Sequence, residues 1–357
     1  MTSSRISLIA AIGGTIAGVL ALPGPGGHAA IVGKPTIVQI APEPIVPIQQ
    51  IKERFRRPSS IPFPSNNPYT LEKVNLGKKL FFDTRLSAAN SISCASCHNP
   101  SFGWGDGQPK GIGHGMRQLA RRSPTIVNAA FGPIFMWDGR ATSLEAQALG
   151  PIAAEVEMNM PIDLLIQKIR GIAGYFPLFQ AAFPNEGLAP ASIAKAIATY
   201  ERTVVSAPAP FDAWIEGDEK AISEQAKRGF RLFNTKGACT KCHSGWNFTD
   251  DSFHDTGLAS PDIGRGKFLP DVVKMGQAFK TPGLREISRR GPFMHDGSLP
   301  TLETVMDHYN KGGFDRPSRS EEIKPLNLSQ QEQDDIIAFM GTLTSDMAPT
   351  TAPVLPR

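Results

Sequence analysis

Two five-residue stretches constrain this chain more than anything else in it: Cys94-Ala95-Ser96-Cys97-His98 and Cys239-Thr240-Lys241-Cys242-His243. Two thiols separated by two residues on one helical turn can add to the two vinyl groups of one porphyrin. The adjacent histidine then falls under the ring and ligates iron through a ring nitrogen. The two copies use all four cysteines, so none is left for a disulfide. A zinc site would want its CxxC pairs closer in sequence, although distant pairs can meet in space. A redox dithiol would want a βαβ pattern around it, and none is visible. The spacing therefore predicts two covalently bound haem c groups on Cys94, Cys97 and His98 and on Cys239, Cys242 and His243.

At 357 residues the chain has the length of about two domains, which suits two motifs far apart in sequence. The net charge of +4 mixes both signs along the chain, so nothing points to nucleic acid. The cluster Lys52, Arg54, Arg56 and Arg57 reads as a solvated face, with a docking patch for an acidic partner as the other reading. Residues 1–29 have the form of an export signal, with Arg5 ahead of an uncharged, mostly apolar run from Ile6 to Leu22 and small residues near Ala29. The run is close to membrane-spanning length, so an uncleaved anchor is the alternative. Bacteria attach haem at CxxCH outside the cytoplasmic membrane, which places the body in the periplasm on either reading.

Residues 30–69 carry repeated prolines and read as an extended lead-in without a helix. Thr70 can cap a following helix, and Thr142 with Glu145 forms a candidate capping box. Ile193, Ile197, Tyr200 and Val204 recur at helical spacing. Pro208 and Pro210 mark a linker. A helix carrying Ala226, Phe230, Leu232 and Phe233 leads into the second motif, and Ser329 with Glu332 caps the last helix. Glycine-rich stretches follow each motif, and no alternating runs suggest a large sheet. The expected fold is mainly α: two cytochrome c-like helical domains, at 70–218 and 219–345, each around one haem, with long irregular loops and a tail at 346–357.

Several segments in order resemble the bacterial di-haem cytochrome c peroxidase and MauG family. They are Leu76-Gly77-Lys78-Lys79-Leu80-Phe81, Arg122-Ser123-Pro124-Thr125, Phe135 through Arg140, Gly150-Pro151 through Glu157-Met158, Lys280 through Arg285, and Pro292 through Ser298. The resemblance implies that the His98 haem meets hydrogen peroxide. Glu157 stands at the position of an acid/base that moves a proton between the peroxide oxygens, and Gln147 at that of its polar neighbour. Trp137 matches a tryptophan lying between the haems. His114, among glycines, matches a loop histidine that caps the first iron in resting peroxidases. Opposite His243 the family uses methionine in peroxidases and tyrosine in the MauG branch; here the position falls on Tyr309, with Met306 one turn earlier as its competitor.

One departure concerns calcium. The family usually has asparagine after the arginine at Arg121, where it helps hold a calcium ion between the domains, and here the residue is Arg122. A guanidinium cannot ligate a cation, so calcium is doubtful, although backbone carbonyls and water could still bind it. The implied activity is reduction of hydrogen peroxide with electrons from a small donor protein, a cytochrome c or cupredoxin. The MauG outcome is oxidation of side chains in a target protein, and the reading of another class is a non-catalytic di-haem electron carrier or sensor. Enzymes of this type often form homodimers.

Overall fold

Repeating one helix crossing accounts for most of the architecture. In the computed structural model, residues 48–357 are described. They form eleven α-helices: α1 Ile48–Glu53, α2 Leu71–Phe82, α3 Cys94–Cys97, α4 Leu144–Ala153, α5 Ile162–Arg170, α6 Phe176–Ala182, α7 Pro190–Arg202, α8 Pro210–Ile215, α9 Glu224–Asn234, α10 Leu302–Lys311 and α11 Gln330–Gly341. The sheet content is one antiparallel pair, β1 Phe253–His254 with β2 Phe279–Lys280. Among the described residues no helix is long and apolar enough to cross a membrane.

Thr70 caps α2 as expected, its hydroxyl accepting from the Lys73 amide at 3.2 Å. The buried stripe Leu76, Leu80 and Phe81 then faces α7, whose Ile193, Ile197 and Tyr200 are buried against it. The second lobe repeats the plan. Ser223 caps α9, and Phe230 and Phe233 meet Ile336 and Phe339 of α11, which starts with the expected Ser329/Glu332 box. Each crossing needs a residue without a side chain. A Cβ on Gly77 would lie 2.0 Å from the Ala196 carbonyl oxygen, and one on Gly229 would lie 1.8 Å from that of Asp335. Each glycine thus lets the helix before a CxxCH motif touch the backbone of a later helix.

Two apolar cores result, one built on α2 and α7 and the other on α9 and α11. The second is rich in aromatic edge contacts: the Phe230 and Phe339 rings lie 5.2 Å apart. This core takes in Phe211, Trp214 and Ile215 of α8, residues that a division at 218/219 places in the first domain. Pro210 begins α8 at its first turn, where a missing N–H costs nothing.

The lead-in differs from expectation. Between Pro47 and Pro58 lies a proline-free window, and it folds as α1. Phe55 just beyond is buried in the second core, stacked on Phe248 at 4.9 Å. Lys52, expected on a solvated face, is only 3% exposed. Its ammonium sits 3.9 Å over the Trp214 ring and 2.8 Å from Glu219. Ser143, not Thr142, caps α4, because Glu145 is engaged by Arg202 at 2.7 Å and is unavailable for a box. The tail returns to the first lobe, where Lys79 donates to Val354 O and Arg85 to Pro356 O. The export segment 1–29 lies outside the described residues.

Candidate functional site

The two motif histidines have one local geometry, made twice. His98 follows the single turn α3, and the loop closes when the Asn99 amide donates to Gly105 O at 2.8 Å. This turns the Trp104 carbonyl onto the ring, 3.3 Å from His98 Nδ1. In the second lobe Phe248 O lies 2.9 Å from His243 Nδ1. Both carbonyl-bearing residues have positive φ, +61° at Trp104 and +55° at Phe248. A carbonyl only accepts, so each Nδ1 carries the proton and each Nε2 keeps its lone pair. Burial also lowers both rings below the ordinary histidine value, keeping them neutral. That is how proteins present an imidazole to a metal.

The thiols do not fit the competing readings. Burial pushes Cys97 up to about 11 and Cys239 up to about 12, and it raises Cys94 as well. A reactive dithiol is marked by the opposite shift. The two CxxC pairs also sit in different lobes. Among the described residues, the one cluster of three or more potential ligands is Cys242, Asp250 and His254, which uses a single cysteine.

A continuous, mainly apolar cavity joins the two motifs. His98, Trp137, Gln147, His243, Met306 and Tyr309 all line it. Trp137 bridges its walls: the indole N–H donates to Arg122 O at 3.0 Å, and the Trp137 carbonyl accepts from the Lys280 amide at 2.8 Å. Gln147 on α4 lies with its amide nitrogen 3.8 Å from Met136 Sδ. A porphyrin fits this donor set: each motif joins two thiols to a neutral histidine, and the cavity that both histidines line has mainly apolar walls.

On α10, Met306 and Tyr309 are three residues apart, hence on one face. Met306 is 4% exposed and packs into the second core. Burial raises the Tyr309 phenol above its ordinary value, and the Cys242 and Cys239 thiols push it the same way. His308, between them, is committed elsewhere through Nε2 to Thr256 O at 2.9 Å.

Glu157 and His114 do not line the shared cavity. They meet each other on the Cys97 side of the first lobe, where Cys97 feels the Glu157 charge and approaches Ile112 O at 4.0 Å. Burial raises the Glu157 carboxyl above its ordinary value, and Arg140 opposes this. The His114 loop is pinned: Gly113 N donates to Arg117 O, and a Cβ on Gly113 would lie 1.9 Å from Val156 O.

Two features escape sequence reasoning. His254 Nε2 is 2.7 Å from Asp250 Oδ2 beside Cys242, and this partner pushes the imidazole up to about 10. The D-x-x-x-H spacing after the second motif is its one sequence signal. Arg122 is buried, with its guanidinium donating to Arg290 O at 2.8 Å, a partner 168 residues away.

Comparison with known proteins agrees with this geometry. The family model for di-haem cytochrome c peroxidase matches residues 71–220. The chain is 55% identical over 309 residues to the methylamine utilization protein MauG of Methylorubrum extorquens, covering 86% of this chain and 88% of that protein. It is 33% identical over 300 residues to a cytochrome c551 peroxidase of Pseudomonas aeruginosa, covering 81% and 83%. A crystal structure described as a MauG-like protein associated with microbial copper homeostasis superimposes with a TM-score of 0.75 at 30% identity, covering 81% of this chain and 95% of that one. The chain belongs to the di-haem cytochrome c peroxidase and MauG family, whose cofactors are haem groups.

Proposed function

We propose that the protein is an exported di-haem c-type oxidoreductase that consumes hydrogen peroxide, drawing electrons from a small redox protein such as a cytochrome c or cupredoxin. The observation that carries this reading is the duplicated histidine geometry at the two ends of a cavity bridged by Trp137. Cys94, Cys97 and His98 would hold one haem covalently, and Cys239, Cys242 and His243 the other. When bound, these groups supply redox-active iron able to exchange electrons with peroxide.

The chain's own residues do the remaining work. Glu157, whose carboxyl burial raises above its ordinary value, stands as the acid/base that would pass a proton between the oxygens of peroxide. Gln147 supplies a polar contact. Trp137 fills the space between the lobes with a conjugated ring. Tyr309, which lines the cavity near Cys239 and Cys242, would ligate the second iron, with Met306 as the alternative ligand. His114 would ligate the first iron in the resting state. The first lobe is the peroxide-reacting one, and the second relays or stores electrons. Arg122 occupies the interlobe position with a cation of its own, which leaves calcium without a role there. Covalent haem attachment requires export, so the protein acts in the periplasm, as a monomer or a homodimer.

A second reading is favoured by Tyr309 and by the likeness to a protein named for methylamine utilization: peroxide is used to oxidise side chains of a partner protein. A phenolate favours ferric iron, whereas a thioether favours ferrous iron. One experiment separates the two. Holoprotein is mixed with peroxide, with and without a reduced small cytochrome, and the spectrum is followed. Rapid oxidation of the cytochrome supports the peroxidase. A long-lived oxidised species that ignores the cytochrome supports the second reading, and no reaction with peroxide removes both.

A further inference from the structure

Two guanidinium groups are buried side by side where the lobes meet. Arg122 is 8% exposed and Arg290 7%. Each donates to backbone alone, Arg122 Nη2 to Arg290 O at 2.8 Å and Arg290 Nη2 to Gly283 O. The Nε atom of each is buried without a partner. Other arginines nearby are differently provided for: the half-buried Arg121 is paired with Asp138 and Asp262, and the buried Arg285 with Asp212. Among the described residues Arg122 and Arg290 form no such ion pair; Asp106 acts on Arg122 and the buried Glu286 on Arg290 only from farther off.

An unpaired charge in a protein interior carries a heavy desolvation cost, and like charges near each other repel. Such a pair persists where something anionic arrives to compensate it. Position says what arrives. Both arginines line the cavity that also holds His98 and His243. Arg290, from the second lobe, packs on the loop after the first motif, with its Cγ 2.8 Å from where a Cβ of Gly103 would be. The pair therefore lines the one cavity onto which both motif histidines open. Each haem carries two carboxylates.

We propose that Arg122 and Arg290 form a two-guanidinium clamp for the propionate carboxylates of the bound haems, joining the lobes through the cofactors. The proposal rests on the reading that both motifs carry haem. Planar guanidiniums suit this task because they bind carboxylates through several directed N–H groups. A fixed positive charge there also favours the reduced iron, so the clamp biases both centres toward the ferrous state.

The test uses the full-length exported holoprotein with Arg122→Gln, Arg290→Gln, Arg122→Lys and Arg290→Lys. Haem content is counted first, and each centre is then titrated spectroelectrochemically. Each glutamine variant should retain two haems and lower the ferrous-to-ferric ratio of at least one centre about tenfold at fixed applied potential, about 59 mV for one electron. The lysine variants should recover most of that shift. Glutamine variants with two haems and unchanged potentials overturn the clamp, as does a shift that lysine fails to recover. If the glutamine variants do not accumulate, a crystal structure of the unaltered holoprotein decides: Nε of both arginines within hydrogen-bonding distance of propionate oxygens supports it, and Nε facing only protein or water overturns it. A haem-free preparation would instead remove the functional reading on which the clamp depends.

Discussion

The backbone amide of His114 donates to the carbonyl oxygen of Glu157 at 2.8 Å, and to that of Val156 at 3.2 Å. The loop with the candidate switch residue and the turn with the candidate acid/base are thus one hydrogen-bonded unit. Because these bonds use main-chain atoms, they survive replacement of either side chain. The two roles can therefore be tested separately.

Glu157→Gln keeps the shape and the backbone bonds but removes the transferable proton. Peroxide consumption should fall about 10²–10⁴-fold, the usual worth of a general acid/base, with both haems retained. Stopped-flow turnover with a matched haem assay checks this, and unchanged turnover would take the role from Glu157.

Tyr309→Phe removes the only oxygen that this side chain offers to the second motif. The optical spectrum and reduction potential of the second haem should both change, while those of the first stay as they were. Identical spectra would pass the axial position to Met306, its neighbour on the same face of α10.

Gly229→Ala places a methyl group where 1.8 Å separates it from Asp335 O. Backbone cannot yield as a side-chain tip can, so α9 and α11 must part. Overpacking of this kind costs about 1–3 kcal/mol. Denaturant unfolding should show the loss.

Glu201 is 3% exposed, one of its oxygens lacks a partner, and burial pushes its carboxyl up to about 8, with Arg202 opposing and Glu145 adding to the rise. A carboxyl raised on folding stabilises the protein fully below the unfolded value near 4.5. That contribution declines as pH climbs through about 8. Glu201→Gln should therefore stabilise the protein by roughly 1–3 kcal/mol at pH 8.5, the range for relieving an unsatisfied buried group, and do little at pH 4.5. Melting temperatures at both values decide it; equal effects at both would mean that ionisation is not the cause.

Prolonged treatment with a calcium chelator should leave the spectra and melting temperature of the holoprotein unchanged, because the Arg122 guanidinium already bonds Arg290 O in the interlobe position. A chelator-induced spectral change reversed by calcium would refute this.

What could be read from sequence alone shares one property: its chemistry is local. Thiol, thiol and histidine must be neighbours to serve one porphyrin, so CxxCH is visible without a fold. Thr70 and Ser329 reveal helix starts because a cap bonds to an amide three residues on. Local reading erred where a distant partner competed. Glu145 is held by Arg202, so capping of α4 moves to Ser143. Lys52 is drawn from solvent by Trp214 and Glu219.

Reading the residues in order is enough to find two CxxCH motifs, a helix ahead of each, and the family that the ordered segments resemble. Tertiary structure decided the rest: that both motifs open onto one cavity, that Trp137 is tied to Arg122 and Lys280, and that Arg122 and Arg290 are buried together. The reason is that burial and charge compensation depend on what surrounds a group in three dimensions. A pair 168 residues apart leaves no trace in spacing or periodicity, and only the folded chain brings the Arg122 guanidinium onto the Arg290 carbonyl.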